Sequence, residues 1–174
     1  MRVAPSTGVA PVAGLATAGK IVYGPDLSLE SQHPAFRYLD TNGHGTFMAG
    51  LIAGKDSTLT KPYSKAPASA YRGIAPDARI LSVKVGTADG GVDVSQVIAA
   101  IDWVVQHRTD NGMNVRVINL SYGTNSLQAA GVDPLSFAVE QAWKQGIVVV
   151  AAAGNTGFQF GAGAPGLANP AYNP

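Results

Sequence analysis

The 174-residue sequence contains no cysteine. That excludes disulfides, thiolate nucleophiles and cysteine-ligated zinc, although it names no compartment. Charge is scarce and balanced, with 12 Lys and Arg against 11 Asp and Glu for a formal net charge of +1. There is accordingly no basic stripe for nucleic acid and no acidic block of a disordered tail. No apolar run approaches the roughly 20 residues of a membrane span. Met1-Arg2-Val3-Ala4-Pro5 lacks the charged-then-apolar layout of a secretory signal. The three histidines are scattered and no carboxylates cluster at ligand spacing, so no metal site is expected. No repeat at solenoid periods is present. What remains is a water-soluble chain with 46% hydrophobic residues. A single domain of this length can bury roughly 70% of its unfolded surface.

The stretch Asp40-Thr41-Asn42-Gly43-His44-Gly45-Thr46-Phe47-Met48-Ala49 sets a histidine between two glycines at the mouth of a helix-forming run. The glycines permit a tight backbone and leave the imidazole uncovered, and Thr46 is placed to cap the helix start. Apolar residues continue from Met48 at helical spacing to about Gly54, so the following turns are expected to be buried with His44 at their open end. An exposed imidazole on a rigid element suits a general base, because its ordinary pKa lies near neutrality. Taken alone, such a residue reads first as an incidental histidine at a helix start, and the rest of the chain reverses that reading.

Along the chain, residues 3–10 read as a short apolar segment, and residues 11–42 as irregular and rich in Gly, Pro and Ser. His33, followed by Pro34, reads as a solvated loop residue. Ile80–Val85 reads as a strand, Gly86–Gly91 as a glycine-bearing loop, and Val94–Val105 as a helix with one apolar face. His107, in that helix's last turn, sits where a cation meets the helix dipole favourably. Val115–Leu120 is a second strand, Pro134–Lys144 a helix ending at Gly146, and Ile147–Ala152 a third strand. Near-continuous β-branched runs separated by amphipathic helices predict an α/β fold, with a parallel sheet carrying helices on both faces.

Three motifs fall where strands end and loops begin, the ligand side of an open α/β sheet. They are Gly43-His44-Gly45-Thr46, Val117-Ile118-Asn119-Leu120-Ser121-Tyr122-Gly123 and Val149-Val150-Ala151-Ala152-Ala153-Gly154-Asn155. Gly73-Ile74-Ala75-Pro76-Asp77-Ala78 precedes a strand, and Ala100-Ile101-Asp102-Trp103 lies in the next helix. In this order the five closely resemble the subtilisin-like (S8) serine peptidases, from about residue 3 to the last residue. The resemblance implies an endopeptidase working through an acyl-enzyme, with His44 as general base and Asn155 as the oxyanion donor. In subtilisin itself, losing that donor lowers turnover about 100- to 1,000-fold. The resemblance further implies a polypeptide substrate added as a strand between two edges. Leu120, Ser121, Tyr122 and Gly123 match one edge, Gly90 and Gly91 lie where the other is expected, and Gly154 joins them as substrate-binding. Glycines there are expected to admit a substrate backbone and expose unpaired amides. Asn155 also reads as a turn former and Gly90-Gly91 as an ordinary loop. Ser121 lacks a G-x-S-x-G elbow and is no nucleophile.

Two departures stand out. The family's aspartate lies in a D-T-G turn, which reads Ser6-Thr7-Gly8 here, so Ser6 occupies the aspartate position and is expected to be non-functional. Losing that aspartate lowers subtilisin turnover about 3 × 10⁴-fold. Asp40, four residues before His44, is expected to order the loop rather than replace it. The family's nucleophile stands in a G-T-S-x-A motif, which the 174 residues do not contain. The chain is therefore expected to be one partial domain, 1–174, cut before the nucleophile-bearing segment and inactive alone. The alternative is a non-catalytic peptide-binding remnant. Gly161-Ala162-Gly163-Ala164-Pro165-Gly166 fits a dinucleotide fingerprint, but Pro165 and Pro170 oppose the helix that motif must open. No cofactor is expected; calcium occurs in many relatives, but no site maps onto named residues. The resemblance also implies a secreted, monomeric protein without nucleic-acid or membrane partners.

Overall fold

Two parallel strand pairs, each with its own helical cover, make up the described part of the chain. The computed structural model describes residues 19–126, 128–155 and 167–172. It divides into two units, Met1–Asp93 and Val94–Pro174. The segment 3–10, with Ser6, and the glycine-rich stretch 161–166 lie outside the described residues.

In the first unit, β1 (Ile21–Asp26) pairs in parallel with β2 (Ile80–Lys84), Ile21 lying opposite Ile80. Strand β1 corrects the expectation of an irregular 11–42. Gly24 and Pro25 break its apolar pattern, and the register slips between Tyr23 and Asp26, where a proline cannot donate to a ladder. The crossover carries α1 (His44–Ala53). Its small residues Ala49 and Ala53 pack with Ile21, Ile52, Ala78 and Ile80, so the helix lies close to the strands. Phe47 and Leu51 point outward, 61% and 43% exposed, against the expectation that the apolar run is buried throughout.

The last turn of α1 meets a specific partner. The carbonyls of Leu51, Ile52 and Gly54, which lack intrahelical donors, accept the N–H groups of Ile74, Ala75 and Gly73 at 3.1, 2.7 and 2.6 Å. Between these contacts the chain makes an excursion closed at its base. Lys55 and Arg72 form an antiparallel bridge, and Asp56 N–H bonds to the Tyr71 carbonyl at 2.9 Å. Lys61, the Tyr63 hydroxyl and Lys55 surround the Asp77 carboxylate and hold its pKa far below the usual range.

In the second unit, β3 (Val117–Leu120) pairs in parallel with β4 (Val148–Ala151), Leu120 opposite Ala151. Helix α2 (Val94–His107) packs on α3 (Pro134–Lys144), which in turn lies against β4. Val97, Ile101 and Val104 of α2 are buried, as their spacing predicts, with Leu135, Ala138 and Ala142 of α3. The Asp133 carboxylate caps α3 by accepting Ser136 N–H at 2.8 Å, and Pro134 takes the first helical turn, where no donor is needed. On the other face of the strand pair Val117, Val148 and Val150 are about half exposed. His107 stacks on Trp103, and its Nδ1 lies 2.9 Å from the Trp103 carbonyl, consistent with a residue that closes the helix end. No described helix is long and apolar enough to cross a membrane.

Candidate active site

Each unit carries its share of the expected site residues on loops that leave strand or helix ends. In the first unit, His44 opens α1 and is exposed, its ring nitrogens without a hydrogen-bond partner among the described residues. Gly43 before it adopts φ +92°, a left-handed conformation that disfavours any side chain. The expected Thr46 cap is replaced by Asp40. Its carboxylate accepts the N–H groups of Gly43 (2.9 Å) and Thr46 (2.7 Å), while Thr46 Oγ1 donates to it at 2.6 Å. One anion thus satisfies two of the orphan donors at a helix start, where the dipole favours it. Replacing Asp40 with Ala is expected to lower stability by about 1–2 kcal/mol, read from the urea midpoint.

Asn42, two residues before His44, links its loop to the Gly86–Gly91 turn by donating Nδ2–H to the Ala88 carbonyl at 3.0 Å. That turn is internally bonded. Gly90 N–H reaches the Thr87 carbonyl at 3.0 Å, and Gly91 N–H reaches Asp89 Oδ1 at 2.9 Å. The two glycines therefore do not present the unpaired amides expected of them. Geometry gives Gly90 a different reason to be there, since it adopts φ +84°. Hydrogen bonds from Thr87 and Gly91 hold the Asp89 pKa below its ordinary value.

Behind these loops, Glu30 and Lys84 form an ion pair at 2.5 Å, with only 14% and 3% of their side chains exposed. Burial alone would raise the Glu30 pKa, but hydrogen bonds from Lys84, Thr41 and Ala88 outweigh it and the pKa falls. At Asp133 burial is likewise opposed by donors, with Ser136 N–H foremost. A carboxylate whose pKa is lower in the folded state stabilises the fold above its unfolded value. That contribution is lost as pH falls through the folded value. Stability is therefore expected to hold above about pH 5 and decline below about pH 4, with a shallower decline in Glu30→Gln, measured by urea midpoints across pH.

In the second unit, Leu120–Gly123 and Ala152–Asn155 leave neighbouring parallel strands side by side, joined by Ala152 N–H to the Leu120 carbonyl at 3.0 Å. Leu120 is buried, Ser121 and Gly123 are exposed, and Tyr122 is half-buried. Ser121 Oγ accepts from Asn119 Nδ2 at 2.9 Å. Gly154 adopts φ +95°, and Asn155 follows it exposed, its amide without a partner among the described residues. Against both strand ends runs the segment 167–172. Thr124 and Asn169 exchange two backbone hydrogen bonds at 2.9 Å, and Ala168 N–H reaches the Ala153 carbonyl at 2.8 Å. A Cβ on Gly123 would lie 2.7 Å from Ala168 Cβ, and one on Gly154 3.1 Å from it. Both glycines thus have a packing reason to be there, beside any substrate. Among the described residues no three His, Asp or Glu side chains converge to hold a metal.

The subtilase family model matches residues 14–173 of this arrangement. The chain belongs to the subtilase family. It is 34% identical over 154 residues to serine protease AprX of Bacillus subtilis, covering 87% of this chain and 32% of that protein. It is 38% identical over 118 residues to subtilisin DY of Bacillus licheniformis, covering 68% and 36%. The crystal structure of a cold-adapted subtilisin-like serine proteinase superposes with a TM-score of 0.54 at 29% identity, over 82% of this chain and 43% of that one. The chain thus spans about a third of the length of the curated relatives it matches. Within this subtilase, sequence reasoning does not single out Glu30, Lys84 or Asn169. Only the setting of the first two, in a loop and a strand otherwise poor in charge, signals them.

Proposed function

We propose that this subtilase chain serves serine-type endopeptidase chemistry, hydrolysing peptide bonds through an acyl-enzyme. His44 takes the nucleophile's proton as general base, and Asn155 donates its amide to the oxyanion. The observation that carries the reading is the setting of His44. Its ring is uncovered at the open end of a helix whose first turn is clamped by a carboxylate that does not touch the imidazole. A base needs that combination of rigid backbone and accessible ring. Peptide pairs with the edge Leu120–Gly123 and at Gly154, which is supported by the unpartnered Gly123 N–H among the described residues. In the first unit Gly90 and Gly91 form a second peptide-contacting edge through close backbone approach, their N–H groups being already taken.

The 174 residues hold no G-T-S-x-A nucleophile motif, and Ser6 stands at the aspartate position. By itself the chain is therefore inactive, since no acyl-enzyme forms without the nucleophile. A serine hydroxyl at position 6 is neutral and shorter than the carboxylate that steadies the imidazolium. The alternative, a non-catalytic peptide-binding remnant, is favoured by that same Ser6. The protein works without a cofactor, as a monomer, outside the cell. The last point is supported by relatives such as the minor extracellular protease Epr of Bacillus subtilis. The test is an intact mass spectrum of the native gene product before and after a fluorophosphonate probe. A mass well above 17.8 kDa with one adduct supports the peptidase. A mass near that value without an adduct supports the remnant, and an adduct at that mass overturns the missing nucleophile.

A further inference from the structure

A buried ion pair is a weak way to stabilise a fold, because well-packed apolar residues of similar volume often do as well or better. An apolar pair, however, cannot hold polar groups in place, and here the ions hold several. Glu30 Oε1 accepts Ala88 N–H at 2.8 Å, and Glu30 Oε2 accepts Thr41 Oγ1–H at 2.8 Å. Lys84 Nζ donates to Glu30 and also to the Phe36 carbonyl at 2.9 Å. Three separate stretches thus converge on one pair: the chain before His44, the end of β2, and the Gly86–Gly91 turn.

The Ala88 backbone is held at both its N–H and its carbonyl. Its N–H is taken by Glu30 and its carbonyl by Asn42 Nδ2. Asn42 Nδ2 also lies 3.6 Å from where a Gly90 Cβ would stand. Ala88 and Gly90 are exposed, so water would satisfy these atoms if the protein did not. The bonds therefore fix position where solvation alone would not require them.

We propose that Glu30 and Lys84 are positioning residues that set the Gly90-Gly91 loop against the His44 loop, so that peptide affinity there depends on two side chains that touch no peptide. The proposal rests on the reading of these loops as a peptide edge. Its test uses the 174-residue chain and the double variant Glu30→Leu/Lys84→Met, which replaces the pair by apolar groups and leaves no unpaired buried charge. The melting temperature, amide exchange and affinity for a fluorescein-labelled alanine-rich hexapeptide are compared with the parent chain.

The expected result is a melting temperature within a few degrees of the parent. Exchange at Ala88, Gly90 and Gly91 rises about tenfold or more, exchange at Val97 and Ile101 is unchanged, and peptide affinity falls about tenfold. Unchanged exchange at Ala88 and Gly90 would overturn the positioning role and leave a structural ion pair. If the parent binds no peptide while loop exchange rises, the positioning half stands and the peptide-edge reading falls. Should the double variant not fold, Asn42→Ala removes the other grip from an exposed position. It is expected to raise exchange at Ala88 and Gly90 by itself, and no change there would also overturn the clamp.

Discussion

Gly73→Ala is expected to lower stability by about 3 kcal/mol, a large effect for one methyl group. A Cβ at this position would stand 2.7 Å from the carbonyl oxygens of both Leu51 and Ile52 and 2.8 Å from the Ile52 carbonyl carbon. These are backbone atoms of the last turn of α1, and they are not free to swing aside. The same carbonyls accept Ile74 and Ala75 N–H groups, and Gly73 N–H is committed to Gly54. Relieving the collision means separating the two segments, which loosens three hydrogen bonds at once. Gly131 supplies the control. A Cβ there would meet no atom within 4 Å, and its φ is not positive. Gly131→Ala is therefore expected to shift stability by no more than about 0.5 kcal/mol, read from the urea midpoint. Equal effects at the two sites would mean that conformational freedom, rather than the collision, is what Gly73 supplies.

Asn169→Leu is expected to lower stability by about 2–3 kcal/mol. Asn169 is 1% exposed. Its Oδ1 accepts the Ser136 hydroxyl at 3.0 Å, and its Nδ2 lies 3.4 Å from Thr124 Oγ1. It also helps hold the Asp133 pKa down. Leucine matches the size but removes the bonds to Ser136 and Thr124 and the support that Asn169 gives Asp133, the cap of α3, in buried surroundings where a lost bond is not replaced by water. Tyr172→Phe is the contrasting case. Its hydroxyl reaches the exposed Gln128 carbonyl at 2.7 Å, and solvent can stand in for it, so the loss is expected to stay below about 1 kcal/mol. Chemical denaturation of both variants checks the difference, and a harmless Asn169→Leu would mean that the network contributes no net stability.

How much of the fold is legible in the sequence follows the range of the interactions involved. Helices α1, α2 and α3 and strands β2, β3 and β4 carry local periodicity strong enough to be read within a few residues of their bounds. Strand β1 is hidden because Gly24 and Pro25 sit inside it and the pairing tolerates them only through a slip in register. The start of α1 is legible, but its cap is not the Thr46 hydroxyl that the pattern suggests, since that hydroxyl donates to Asp40. Asp40 as a loop-ordering residue is legible because its partners lie within six residues. Glu30 with Lys84, 54 residues apart, and Asn169 with Thr124, 45 apart, have no local signature of their pairing. Gly123 and Gly154 read from the sequence as an opening for substrate, whereas Ala168, remote in sequence, supplies a second reason for each.

The excursion from Lys55 to Arg72 is fastened at its neck by a bridge and by the contacts of Gly73–Ala75 with α1. Apart from Lys61 and Tyr63, which reach back to Asp77, what lies beyond that neck is entropically insulated from the strand pair and from His44. Lengthening the far end of a closed loop costs little, about 0.6 kcal/mol for each doubling. This stretch is therefore a natural place for the chain to gain or lose residues over evolutionary time, or to accept a grafted peptide tag. The neck residues, Gly73 above all, are the ones that such remodelling must leave alone.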